Sequence, residues 1–182
     1  YKRRHTIKTA AVLESQAASI PIDQKFDIFL SHSYRDAQNL NAADLQAIAG
    51  ILREYGYSVY IDWVVDRQLS REYVTRRTAE VLRERMKNSE SLLFATSENS
   101  SSSKWMPWEL GFKDGENGKA AILPIVDYSQ SNYDGQEYLG IYPYVRETPD
   151  TLGENRLWIF RNDGAYIVFD AWLRDGVMPY HR

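Results

Sequence analysis

The chain contains no cysteine, which removes disulfide staples, thiolate zinc sites and cysteine nucleophiles together and fits a reducing compartment. The cytoplasm is therefore the expected location. Histidine is scarce as well: His5, His32 and His181 are too scattered for a metal cluster or a serine–histidine pair to be read from spacing, and His32 by itself reads as structural. Charge of one sign is also lacking. The formal net charge is −3, with no basic surplus that would mark a nucleic-acid surface and no acidic tail. No uninterrupted apolar run approaches the roughly 20 residues that span a bilayer. Neither nucleic acid nor membrane is an expected partner. The start Tyr1-Lys2-Arg3-Arg4-His5 has the charge of a secretion leader, but Glu14 and Gln16 interrupt the mildly apolar stretch behind it, so secretion is not expected.

What is present is a length of 182 residues, 43% apolar and 13% aromatic, enough for one α/β domain with a sizeable core. Residues 1–24 read as an arm or linker whose modest helical pattern, Ile7, Ala10, Ala11, Leu13 and Ala17, ends at Ile20-Pro21, because proline disfavours helix in the residue before it. Residues 25–182 read as a single domain, with a core of about 25–135 and an extension of about 136–182. Phe26-Asp27-Ile28-Phe29-Leu30 is a short, mostly apolar run suited to a strand covered on both faces. Leu45, Ile48, Ala49 and Leu52 repeat at helical spacing over 41–55, and Gly56 stands where a helix ends in a left-handed residue. Tyr57-Ser58-Val59-Tyr60-Ile61-Asp62 predicts a second strand, so strand, helix, strand closes as a parallel crossover. A polar loop over 63–69 leads to a helix over 70–88 with inner residues Val74, Thr78, Val81, Leu82 and Met86. Its charged outer face, with Glu72/Arg76 and Arg76/Glu80 four apart, reads as solvated. A third strand over 91–96 runs into a serine-rich loop, an N-cap at Ser103 and a helix over 105–113. Ala120 to Asp127 predicts a fourth strand, made less regular by Pro124. Residues 138–145 are ambiguous, 157–169 predict a hairpin around Asn162-Asp163-Gly164, and a terminal helix starts at Phe169.

In an open parallel sheet, ligands bind beyond the carboxyl ends of the strands. Three segments lie there: 31–36, 62–69 and 97–109. Within the last, Glu109 follows Trp105 by four residues, so a carboxylate and an indole share one helix face, an arrangement that suits a nucleotide-ribose site. On spacing alone the commoner reading is a helix whose aromatics are core and whose glutamate is solvated near the favourable positive end. Gly115-Glu116-Asn117-Gly118-Lys119 lacks the spacing of a phosphate-binding loop and reads as a turn. The many tyrosines and tryptophans have no interleaved basic stripe and read as core.

Four segments in order, Phe26-Asp27-Ile28-Phe29-Leu30-Ser31-His32-Ser33, Tyr57-Ser58-Val59-Tyr60-Ile61-Asp62, Ser103-Lys104-Trp105-Met106-Pro107-Trp108-Glu109-Leu110 and Ile122-Leu123-Pro124-Ile125, resemble the Toll/interleukin-1 receptor (TIR) domain, in particular the bacterial TIR-like, Thoeris-type proteins of antiphage defence. The similarity covers roughly 25–130. It implies a flavodoxin-like open parallel sheet with helices on both faces, here followed by a C-terminal hairpin and helix. In the enzymatic members it implies cleavage of the nicotinamide–ribose bond of NAD+, giving ADP-ribose or a cyclic isomer. On this resemblance Glu109 is the catalytic carboxylate. Ser31, Ser33, Arg35, Asp62, Trp63 and Trp105 are substrate-binding. No metal and no cofactor are implied, NAD+ being the substrate. The loop after the second strand lacks the glycine and proline usual in receptor-type members. Expected partners are NAD+, further copies or other TIR domains, and an effector protein that responds to the nucleotide product. Two other readings stand beside this one: a TIR module that only assembles, and a nucleoside deoxyribosyltransferase-like enzyme, which also employs a glutamate in a related fold.

Overall fold

The computed structural model describes residues 20–38, 41–66, 75–97, 99–125 and 137–181. Strand β1 (Phe26–Ser31) is followed by the short helix α1 (Tyr34–Gln38), helix α2 (Asn41–Glu54), strand β2 (Val59–Tyr60) and a single helical turn, α3 (Asp62–Val65). Helix α4 (Arg76–Lys87), β3 (Ser89–Thr96), helix α5 (Met106–Asn117) and β4 (Ala120–Pro124) continue the alternation. The chain closes with β5 (Tyr144–Pro149), β6 (Asn155–Phe160), β7 (Tyr166–Val168) and α6 (Phe169–Asp175). The seven strands form one sheet in the order β2-β1-β3-β4-β5-β6-β7. Pairings from β2 through β5 are parallel, and β6 and β7 add antiparallel.

Alternation along the strands sorts the core into two layers. Ile28, Leu30, Leu93, Ala95 and Ala121 face α2 and α6, whose Leu45, Ala49, Leu52, Phe169, Trp172 and Leu173 complete one cluster. Phe29, Leu92, Phe94, Ala120 and Ile122 face α4 and α5 through Leu82, Met86, Met106 and Leu110. Helices thus cover both faces of a mostly parallel sheet, as the resemblance implied.

Helix α2 ends where the sequence places it. Gly56 has φ 90°, its N–H donates to the Arg53 carbonyl (2.9 Å) and that of Tyr57 to the Leu52 carbonyl (3.1 Å), the paired bonds of a Schellman cap. The predicted second strand is shorter than expected. It leaves the sheet after Tyr60, because the Val64 and Val65 N–H groups turn back to the Ile61 carbonyl (3.1 and 2.9 Å), and the expected polar loop begins instead as the α3 turn. Helix α4 starts later than the pattern suggested, at a Thr75 cap whose side chain accepts from the Thr78 N–H; Val74, Glu72 and the rest of 67–74 lie outside the described residues. Arg76 and Glu80 pair at 2.9 Å on the exposed face, as expected. The ambiguous stretch becomes a 3₁₀ turn, Glu137–Ile141, and the start of β5. The predicted hairpin is present as β6 and β7, and it extends the main sheet rather than forming an appendage. Of the arm, 1–19 lie outside the described residues. No helix among the described residues is long and apolar enough to cross a membrane.

Asp27 ties the two ends of the fold together. Its Oδ2 accepts from the Ser58 N–H (2.7 Å) and hydroxyl (2.8 Å), and its Oδ1 from Arg174 of α6 (2.5 Å). Burial opposes the charged form, but the Ser58 hydrogen bonds and the Arg174 guanidinium outweigh it and hold the carboxyl below its ordinary 3.8. A depressed folded value contributes stability above the unfolded pKa that is lost as pH falls through the folded one. Asp27→Asn is therefore expected to lower the melting temperature by a few degrees at neutral pH, with the gap to wild type narrowing below pH 3.8 in a pH series of thermal unfolding curves.

Candidate active site at the β1–β3 switch point

Strand β1 lies between β2 and β3, so successive crossovers depart from it in opposite directions and open a crevice beyond its carboxyl end. Ser31 ends β1 on the same face as Phe29, toward α5. Glu109 occupies the first turn of α5, after Pro107 in the opening positions, where the positive end of the helix favours a carboxylate. Seventy-eight residues apart in the chain, the two side chains meet: Ser31 Oγ donates to Glu109 Oε2 at 2.6 Å. Both are fully buried, at 0% exposure. A carboxylate kept from water by packing, with a short hydroxyl donor, is held in one orientation. It is the opposite of a solvated helix residue.

The start of α5 is built for that placement. The Met106 N–H donates to Ser103 Oγ (3.3 Å), so the predicted capping serine does satisfy the first helical amide, although Trp105 occupies the cap position itself. Trp105 accepts the Glu109 N–H through its carbonyl (2.9 Å). Its half-buried indole packs on the second cluster and edge-on to Trp108, with centroids 5.3 Å apart and planes at 87°. One helical turn beyond Glu109, Lys113 is buried too, donating to the Met86 and Ser89 carbonyls (3.0 and 2.5 Å) and to Glu116 (2.7 Å). This anchors α5 to the α4–β3 junction.

The segment after β1 turns directly into α1. Ser33 is buried and caps it, its Oγ accepting from the Arg35 N–H at 3.3 Å, while the Arg35 side chain is exposed. Asp36, 1% exposed, accepts from Ser97 Oγ (2.5 Å) and Asn99 Nδ2 (2.7 Å) and so joins the segment after β1 to the segment after β3. Removing a buried charged acceptor from two donors costs roughly 2–3 kcal/mol. Asp36→Ala is expected to lose about that much in urea unfolding, whereas an unchanged midpoint would mean the two loops are held together by other contacts.

His32 carries the connection to the third segment. Its Nδ1 lies 3.2 Å from the Leu30 carbonyl oxygen, its Nε2 3.3 Å from Asp62 Oδ1, and its ring meets Trp63 edge-on at 4.3 Å. Asp62 Oδ1 also accepts the Trp63 N–H (2.8 Å), which starts the α3 turn. Trp63 turns toward α2, where it lines an open groove of about 540 Å³ with Gln46, Arg53, Ile61 and Val64. Ser31, Glu109 and Trp105 stand on the α5 side of the sheet, whereas Trp63 packs with the α2 cluster, so the two indoles lie on opposite faces; His32 and Asp62 link the end of β1 to the start of α3. His32 and Asp36 are the members that spacing did not single out, since their partners are distant in sequence. Among the described residues no group of three or more His, Asp or Glu side chains is arranged to hold a metal ion.

No protein-family model matches the chain. It is 44% identical over 165 residues, covering 90% of this chain and 83% of the relative, to the "Probable 3' cyclic ADP-D-ribose synthase ThsB'" of Bacillus cereus (strain MSX-D12). It is 33% identical over 88 residues, 48% of this chain and 22% of the relative, to the "Putative cyclic ADP-D-ribose synthase TIR2" of Cytobacillus dafuensis. Among solved structures, the TIR domain of the Toll-related receptor TRR-2 from Hydra magnipapillata aligns with 66% of this chain and 82% of its own, at 12% identity and a TM-score of 0.46. With nearly its whole length matched at that first identity, the chain belongs to the bacterial TIR-like family of ThsB'.

Proposed function

We propose that this chain cleaves the nicotinamide–ribose bond of NAD+ and closes the remaining ADP-ribosyl group into a cyclic ADP-ribose. The observation that carries the reading is the buried Ser31–Glu109 pair at the switch point, in a chain whose relatives bear the name of cyclic ADP-ribose synthases along 90% and 48% of its length.

The chemistry asks little of the protein beyond placement. Nicotinamide departs as a neutral molecule from a positively charged ring, so no general acid has to protonate it. What develops is positive charge on the ribose, and a fixed carboxylate beneath the ring stabilises it without reorganising. Glu109 has that role. Ser31 holds its Oε2 and aims the carboxylate, Trp105 offers an aromatic wall one turn away, and Ser33, Arg35, Asp62 and Trp63 contact the rest of the dinucleotide, the exposed Arg35 pairing with its pyrophosphate. The cation is then captured by a nucleophile of the adenosine half, which gives up a proton as the ring closes. Capture by water gives linear ADP-ribose instead. The names of the relatives, cyclic ADP-ribose synthases, favour internal capture. Burial of Glu109 means that the ribose reaches the carboxylate only after covering atoms move aside, a step on which self-association or a trigger can act. The reaction draws on cytoplasmic NAD+, and its product is a signal for an effector protein.

The reading is tested by incubating the assembled protein with NAD+ and separating the products by chromatography with mass detection. Nicotinamide and an equal amount of a cyclic ADP-ribose are expected. No nicotinamide release would leave an assembly module, and turnover of deoxynucleosides with none of NAD+ would leave a deoxyribosyltransferase.

A further inference from the structure

Helix α4 carries one charged residue that does not reach solvent. Arg85 is 1% exposed. Its Nε and Nη2 donate to the two oxygens of Asp66 (2.9 and 3.0 Å), the planar fork matched to a carboxylate. Its remaining directions are filled by the end of the arm: Nη1 donates to the Pro21 carbonyl (2.6 Å) and Nη2 to that of Ile20 (3.2 Å). Tyr60 completes the cluster. Its hydroxyl donates to Asp66 Oδ2 (2.8 Å), and its ring lies 5.6 Å from the guanidinium carbon. Burial first, and then the Asp66 charge, push the phenol well up, so it stays a donor at neutral pH.

The place of Asp66 gives this cluster its meaning. It follows α3 directly, and its N–H donates to the Asp62 carbonyl (2.7 Å), closing the turn that begins with Asp62 and Trp63. One helical turn has no stability of its own in water. Here it is held at its start by His32 against Asp62 and at its end by Arg85 against Asp66. A buried ion pair adds little stability over an apolar pair of the same shape; its best-attested use is to specify one arrangement.

We propose that Arg85 is a positioning residue for the NAD+ site, clamping Asp66 to the Ile20 and Pro21 carbonyls so that α3 holds Asp62 against His32 and Trp63 along the groove beside α2. The inference rests on the reading of the crevice as an NAD+ site. Arg85 touches neither Ser31 nor Glu109, which stand on β1 and α5, so its loss weakens binding of the dinucleotide and leaves the bond-breaking step intact.

The test compares Arg85→Lys and Tyr60→Phe with wild type in two measurements. Lysine keeps the charge but lacks the fork, and Tyr60→Phe removes one bond to Asp66 while keeping the ring. For Arg85→Lys, KM for NAD+ is expected to rise about tenfold with kcat within about twofold. Tyr60→Phe is expected to show a smaller rise, about threefold, of the same kind. In hydrogen–deuterium exchange without NAD+, peptides spanning 61–66 are expected to exchange faster in both variants while those of α5 do not change. A fall in apparent kcat at constant KM, as when part of the protein is unfolded, or unchanged exchange over 61–66, would overturn the proposal. Wild-type protein that releases no nicotinamide would overturn the NAD+ reading instead, and exchange would still decide whether Arg85 positions α3.

Discussion

Glu109→Gln is expected to slow nicotinamide release about a thousandfold while leaving the melting temperature unchanged or raised. Glutamine has the same shape, and its amide oxygen can still accept from Ser31 Oγ, so the packing around the 0%-exposed side chain survives. Only the charge is lost. A full negative charge about 4 Å from the developing ribosyl cation, at an effective dielectric constant of about 20, is worth roughly 4 kcal/mol, which corresponds to about three decades in rate. The folded state gains, because an ionised group no longer has to be kept from water. Rate and stability moving in opposite directions distinguish a functional carboxylate from a structural one. If Glu109 served the fold, the substitution would cost melting temperature and leave whatever activity the remaining folded protein had. Matched thermal unfolding and initial-rate assays separate the two.

Ser31→Ala is expected to cost about 10- to 100-fold in kcat, with a lowered melting temperature. The hydroxyl is the 2.6 Å donor to Oε2, and leaving a buried charged acceptor without it costs about 1–3 kcal/mol. Part of that loss appears in the rate, because the carboxylate is no longer aimed, and part in stability, because the acceptor remains buried. Ser31→Thr keeps the hydroxyl on a β-branched residue suited to a strand and is expected to recover most of the rate. Ser33→Ala is the informative neighbour. Its hydroxyl caps α1 rather than touching Glu109, so it is expected to cost about 1 kcal/mol of stability and less than about threefold in kcat. Steady-state rates across the four proteins check the series.

The features that govern this chemistry were unequally legible in the sequence. Elements with local signals read correctly: the apolar run of β1, the α2 stripe with its Gly56 cap, the Asn162-Asp163-Gly164 hairpin, and the helix that carries Glu109. The α3 turn did not, because it is made by the Asp62 side chain accepting a neighbouring amide and by a contact with His32 thirty residues earlier. Strand β5 exposes Arg146 and Glu147 and buries Val145, a pattern too short to specify a strand without the β4 and β6 edges on either side. Arg85 sits in a charged run and is distinguished by partners distant in the chain, Asp66 19 residues away and the Ile20 and Pro21 carbonyls 65 and 64 residues away. Glu109 shows the limit most clearly. Helical periodicity places it on a face with Trp105 but cannot say whether that face meets water, and the deciding partner, Ser31, comes from a strand 78 residues earlier.

The pairing of Glu109 with Ser31 is tested most directly by a double-mutant cycle on nicotinamide release: wild type, Ser31→Ala, Glu109→Gln and the double variant, assayed in the same assembled state. If the serine acts by aiming the carboxylate, its removal has little left to spoil once the charge is gone, and the double variant will be no more than about twofold slower than Glu109→Gln alone. Two penalties that multiply in the double variant, or a Glu109→Gln protein that releases nicotinamide at the wild-type rate, would contradict the account.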